Sequence, residues 1–182
     1  MMPFLSVITR CYKRPTLLAR NVASLEAQTD PDYEQLFIVD EIGRGIPWAN
    51  RALATVEPIG DYVLVLDDDD ILRLPQAIDN LKGAAIDSPD IILFKVSSYN
   101  LGILPPLGLW GKRPQMGQIT TSNFISRNDI WKKHVGSFNA VNNDDFGDYM
   151  YISAVWEDVS SIFWLDRILV STPEGRRFGA PE

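Results

Sequence analysis

The stretch "DYVLVLDDDDIL", residues 61–72, sets four consecutive carboxylates at the end of an apolar, β-branched run. A run of that kind reads as a strand buried on both faces, so its first polar residues are held at a strand end. Working outward, "FLSVIT" (4–9) and "EQLFIVDE" (34–41) have the same texture, and "DIILFKVSSY" (90–99) makes a fourth apolar run. Between them lie helical patterns. "TLLARNVASLEAQ" (16–28) places Leu17, Leu18, Val22 and Leu25 on one stripe, with Pro15 suited to a first turn and Thr16 a candidate cap. "WANRALATV" (48–56) and "LPQAIDNLKGAAI" (74–86) supply two more. This alternation predicts an α/β fold with a mainly parallel sheet flanked by helices.

The chain has 182 residues, a net charge of −7 and 46% hydrophobic residues. Those values suit a single soluble globular domain. The acidic balance argues against a nucleic-acid partner, which asks for a basic face. One cysteine, Cys11, excludes an internal disulfide, and one histidine, His134, excludes a multi-histidine metal site. The opening "MMPFLSVITR" turns polar too soon for a signal peptide, and no apolar run reaches the roughly 20 residues of a membrane span. The expectation is a cytoplasmic protein without a transmembrane segment.

Past residue 100 the texture changes. "NLGILPPLGLWGKRPQMG" (100–117) is rich in Gly and Pro and reads as a loop or a pair of irregular strands. Residues 126–156 read as a helix start, a "VGSF" turn, an acidic loop and a helix from about Asp144; 161–172 read as a late strand and 173–182 as a tail. No linker divides the chain. The expected organisation is one domain, with a nucleotide-binding half over about residues 1–100 and an acceptor half over about 101–170.

Polar residues gather just past the strand ends: Thr9 to Arg14, Asp40 with Glu41, and Asp67 to Asp70. In an open parallel sheet those ends converge on one crevice, where ligands bind. A carboxylate run there can be a solvated turn, an acid-base group or a site for a hard cation. Its seat on a buried strand favours the cation, with Mg²⁺ or Mn²⁺ held by one or two carboxylates and substrate phosphates. The ligand spacing and glycine of a helix-loop-helix calcium site are missing, as are a Gly-rich dinucleotide fingerprint and a P-loop. A nucleotide would instead lie along the strand ends, its base on Tyr12. Asp40 would accept from an imide N–H, which selects uracil, and Arg10, Arg14 and Arg44 would offset phosphate charge.

These segments resemble the family-2 glycosyltransferases of the GT-A fold. "LSVITRCYKRPTLLARNVASLEAQT" is similar to that family's opening strand and helix, "FIVDE" to its second strand, and "GIPWANRAL" to its Ala-Asn-containing helix. "GDYVLVLDDDDIL" resembles its Asp-x-Asp-Asp stretch, and "FISRNDIWKKHVGSFNAVNNDDFGDYMY" its later Gly-x-Phe turn and acidic pair. The likeness spans about residues 4 to 155.

The resemblance implies a UDP-sugar donor, a hydroxyl acceptor on a carbohydrate or other molecule, and a divalent metal. It implies that Thr9, Arg10, Tyr12, Arg14, Asp40 and Arg44 line the nucleotide site. Asp67 and Asp68 would face the ribose and metal region; Asp69, with Asp67, would hold the metal, and Asp70 would support the loop. In inverting members an aspartate of the later acidic pair deprotonates the acceptor, a role that falls here to Asp145, with Asp144 and then Asp148 as alternatives. Two departures stand out: "STPEGRRFGAPE" lacks a histidine, leaving Arg176 and Arg177 as the tail's cations, and the pair is Asp-Asp where the family has Glu-Asp. His134 reads as structural. Trp110, Trp131, Trp156 and Trp164 are core residues or acceptor platforms. Two rival readings are a non-catalytic nucleotide-sugar-binding relative and a nucleotidyltransferase.

Overall fold

A computed structural model describes residues 2–139 and 146–173. Asp144, Asp145, Arg176 and Arg177 lie outside the described residues. Strand β1 (Leu5–Cys11) is buried at every position and sits between β2 (Tyr33–Val39) and β3 (Tyr62–Val65), parallel to both. Helix α1 (Pro15–Glu26) joins β1 to β2, and α2 (Ile46–Ala52) lies between β2 and β3. Beyond the aspartates come a two-residue strand β4 (Ile71–Leu72), helix α3 (Ala77–Ala84) and strand β5 (Ile91–Ser98). Strand β6 (Gly102–Leu104) folds back on β5. Strand β7 (Phe124–Arg127), helices α4 (Asn128–His134) and α5 (Gly147–Trp156), and strand β8 (Ile162–Thr172) complete the described fold.

The α/β architecture is the one the sequence pattern implies, but the sheet is mixed. Its order is β2-β1-β3-β7-β5-β8-β4, with β6 on β5. The first three strands are parallel, β7 runs antiparallel to both β3 and β5, and β8 returns parallel to β5. Strand β7 follows a loop and turns straight into α4, so it enters the gap between β3 and β5 from the opposite direction. The "FISR" segment, taken from sequence only as the approach to a helix, is thus a central strand.

Two cores cover the sheet. On one face Leu25 of α1 and Ala77, Ile78, Leu81 and Ala84 of α3 pack on Val7, Leu64 and Phe94. On the other, Trp131 of α4 and Tyr151, Ile152 and Val155 of α5 pack on Ile8, Val63 and Leu93. In α1 the buried positions are Leu17, Asn21 and Leu25, and the N-cap is Arg14 with Pro15 in the first turn. Thr16 therefore lies inside the helix, and a polar Asn21 replaces Val22 on the inner stripe. No helix among the described residues is long and apolar enough to cross a membrane.

Candidate functional site

The ends of β1, β2 and β3 are stitched into one rim by their backbones. The Asp40 amide donates to the Cys11 carbonyl at 2.8 Å, and the Asp68 amide donates to the Arg10 carbonyl at 3.3 Å. The side chains leaving this rim form three groups.

The first group is the base wall expected at Tyr12, Asp40 and Arg44. The Asp40 carboxylate accepts from the amides of Ile42 (3.3 Å), Gly43 (2.9 Å) and Gly45 (2.9 Å), folding residues 40–45 into a tight loop. Burial pushes this carboxyl up, yet those amides outweigh it and hold its pKa below the usual value. Gly43 has φ +79°, and a Cβ there would lie 2.6 Å from the Tyr12 hydroxyl, so the tyrosine ring rests against the loop. Arg44 is exposed, its guanidinium 4.9 Å above the Trp48 ring. With the Arg44 amide, which also lowers the Asp40 pKa, the three amide donors engage that carboxylate in closing the loop. Thr9 is placed differently: it is fully buried in β1, and its hydroxyl accepts from Gln35 Nε2 at 2.9 Å.

The second group is the aspartate run. Arg10 grips Asp67 in a two-pronged pair, Nε and Nη2 each 2.6 Å from a carboxylate oxygen, and its Nη1 donates to Asn50 at 2.6 Å. Arg14, with no exposed side-chain surface, donates through Nε to Asp68 at 3.1 Å, pairs Nη2 with the same carboxylate, and reaches Asp69 through Nη1 at 3.1 Å. Both arginines thus first serve to hold carboxylates apart from one another. Their pKa values are raised: burial alone would lower them, but the adjacent aspartates prevail. The Tyr12 amide also donates to Asp68, at 3.3 Å. Asn21 ties the loop from beneath, donating to the Asp67 carbonyl (2.9 Å) and the Asp70 carbonyl (2.8 Å).

Asp69 and Asp70 differ sharply in their surroundings. Burial, then the Asp67 charge, pushes the Asp69 carboxyl up to about 6, with Arg14 opposing. Asp70 is buried further and pushed up to about 8 by burial and by its aspartate neighbours. Hydroxyl donors from Thr172 and Ser122 steady it. Asp70 is thus a buried carboxyl held inside the fold by those hydroxyls. Asp69 keeps a partly open carboxylate at the rim, with 11% of its side chain exposed and a single arginine contact. Among the described residues no three side chains converge into a complete metal cage. The set does fit a cation shared with a diphosphate, because one or two carboxylates suffice for Mg²⁺ when phosphate oxygens supply the rest. The excess negative charge that raises Asp69 is what such a cation would relieve.

The third group comes from the other half of the chain. Gly147, at the start of α5, lies against the Arg10 partner: a Cβ there would be 2.6 Å from Asn50 Nδ2 and 2.9 Å from the Phe138 carbonyl oxygen. This contact brings the next residue, half-buried Asp148, within the fields of Arg10 and Asp67. Burial pushes its carboxyl up to about 6, against the pull of the Tyr149 amide and Arg10. Asp148 is therefore the described carboxylate of the later acidic segment that faces the aspartate run.

Sequence reasoning did not assign Asn21, Asn50, Ser122, Thr172 or Gly147 to the site. A signal existed for Asn21, a polar residue on the apolar stripe of an amphipathic helix. The tryptophans divide: Trp131 is core, whereas Trp110, Trp156 and Trp164 form an edge-on chain. His134 pairs with Asp158 at 2.8 Å on the surface of α4.

A crevice at the strand ends of a curled mixed sheet, with aspartates leaving its central strand, defines a GT-A type α/β fold. The solved structures most like it include TarS of S. aureus. A crystal structure of TarS residues 1–349 superposes with a TM-score of 0.65 at 16% identity, covering 94% of this chain and 60% of that one. Crystal structures of the same TarS fragment in complex with UDP (TM-score 0.65, 16% identity) and with UDP-GlcNAc (0.64, 17%) align over the same 60% of its length. Against a longer TarS structure the TM-score is 0.67, and this chain covers 36% of its length. The chain therefore spans less than two thirds of the length of these structural neighbours. No protein-family model matches the sequence, and no curated protein matches it.

Proposed function

We propose that the chain is a glycosyltransferase that moves a sugar from a UDP-sugar to an acceptor hydroxyl by inverting single displacement. The observation that carries the reading is the pairing of two unlike carboxylate sites across one crevice. Asp69 stands at the rim, where it would hold a cation, and Asp148, on a separate element, lies within the fields of Arg10 and Asp67. The likeness in fold to TarS, solved with UDP and with UDP-GlcNAc, supports the choice of donor.

Tyr12 offers a ring face for the base, and Asp40 would be the acceptor beside it for the uracil imide. Asp69, with Asp67, would hold Mn²⁺ or Mg²⁺, and the ion would neutralise charge growing on the leaving diphosphate. A proton must leave the acceptor oxygen on the opposite side. Asp148, with its carboxyl raised to about 6, suits a general base working near neutral pH. Asp145 and Asp144, outside the described residues, remain its alternatives in that role. Arg10 and Arg14 act here by holding the aspartates in place.

Titration calorimetry with UDP and Mn²⁺ tests the donor site. Wild-type protein should bind UDP in a metal-dependent way and prefer it to CDP, GDP and ADP, and Asp69→Asn should remove the metal dependence while leaving thermal unfolding unchanged. Asp40→Ala should weaken UDP roughly ten-fold, the loss of a buried hydrogen bond of about 1–3 kcal/mol. Metal-dependent affinity that survives Asp69→Asn would sink the reading.

A further inference from the structure

From residue 91 to residue 128 the chain contains no Asp or Glu, although 24 acidic residues occupy the rest of its 182 positions. The segment does carry Lys95, Lys112, Arg113 and Arg127. Its inner part, Ile91–Val96, is core; its outer part is not. Tyr99, Leu101, Ile103, Leu107 and Met116 are all exposed, Leu107 at 84% and Tyr99 at 73%. Trp110 anchors this outer part, packed edge-on against Trp164 of β8 at 4.9 Å and beneath Lys95 at 4.8 Å. The anchor sets Lys112 and Arg113 beside β8, where Arg167 is also exposed. The carboxylates paired here are Asp166 with Lys95 and Glu157 with Arg113. Residues 99–116 themselves carry Lys112 and Arg113 and no acid, in a chain whose net charge is −7.

Exposed Leu, Ile, Tyr and Met side chains rimmed by cations on a locally positive face match the interfacial zone of a bilayer. Apolar tips enter the boundary of head groups and acyl chains while lysine and arginine reach anionic lipid. We propose that the 99–116 face docks on an anionic membrane surface. A second copy of the chain fits less well, because a two-fold pairing would set the same cations against each other. The face also adjoins the aspartate crevice. The Tyr99 amide donates to the Thr172 carbonyl at 3.0 Å, and the Thr172 hydroxyl bonds Asp70. The proposal goes beyond sugar transfer and does not depend on it, since it is measured without donor.

Vesicle flotation is the test, with phosphatidylcholine alone or mixed equally with phosphatidylglycerol. Wild-type protein should float with the mixed vesicles, not with phosphatidylcholine alone, and be released by salt. Leu107→Ser and Leu101→Ser should each lower partition about ten-fold. Lys112→Glu should lower it about five-fold or more. Ile86→Ser, at an equally exposed apolar residue beyond the C-terminal end of α3, should leave it unchanged. Failure of the wild type to float would overturn the proposal, as would an equal loss in Ile86→Ser. So would sedimentation showing that Leu107→Ser dissolves a dimer.

Discussion

Arg14→Met isolates the contribution of the buried charge pairs beneath the crevice. The arginine has no exposed side-chain surface and spans two carboxylates, Asp68 through Nε and Nη2 and Asp69 through Nη1. Methionine fills much of the same volume, so the loss is mainly electrostatic. Asp68 would stay fully buried, keeping the Tyr12 amide, 3.3 Å away, as a neutral donor. Leaving one ion of a buried pair unpartnered costs about 3–5 kcal/mol. Against a typical total of about 5–15 kcal/mol, that is enough to unfold a marginal domain near body temperature. Urea unfolding at neutral pH measures it. The double variant Arg14→Met/Asp68→Asn removes the stranded charge and should recover much of the loss, although Asn is not isosteric in its donors. A loss below about 1 kcal/mol in the single variant, or a double variant no better than the single, would refute the reasoning.

Asp148→Asn should leave UDP binding with Mn²⁺ nearly unchanged while transfer falls about 10²–10⁴-fold; the same assay on Asp145→Asn and Asp144→Asn decides which carboxylate is the base. Gly147→Ala should cost about 1–3 kcal/mol in thermal or urea unfolding, because its Cβ would meet both the Asn50 side chain and the Phe138 backbone. Asp90 gives an acid-stability test. Burial raises its pKa, but the Ser160 and Ser161 amides, at 2.8 and 3.0 Å, and Arg127 at 2.8 Å lower it overall. Its stabilisation is therefore present above the unfolded carboxyl pKa of about 3.9 and lost as pH falls through the lower folded value. Asp90→Asn should flatten the pH dependence of unfolding below about pH 4, and an unchanged profile would contradict the assignment.

The parallel half of the sheet was legible because each of its strands is an apolar run ending in polar residues, a pattern that survives without any tertiary information. The four-residue β7 and two-residue β4 were not, since neither is long enough to show a period. Their existence depends on pairing partners far along the chain. The aspartate run and Asp40 stood out by composition, whereas what surrounds them did not. Nothing in the spacing of "RCYKR" tells that Arg10 and Arg14 close on Asp67 and Asp68; that follows from the parallel register of β1 and β3. The helical phase of α5 was equally hidden. Residue counting places an acidic segment after "VGSF", but only the close approach of Gly147 to Asn50 shows that Asp148 lies within the fields of Arg10 and Asp67.

The seating of the aspartate loop also has a consequence for the order in which the chain becomes competent. Asp70 is held by Thr172, 102 positions later, and β4, which follows the loop directly, pairs with Ser171 and Val170 of β8. A nascent chain can therefore assemble β1, α1, β2 and β3 well before residues 170–172 emerge, yet its aspartate loop lacks its backing until they do. Synthesis that stalls in β8 would yield a compact particle with a near-complete sheet and an unsettled ligand rim. Strand β8 thus acts as a delayed clamp, coupling the seating of the aspartate loop to a distant, later-made part of the chain.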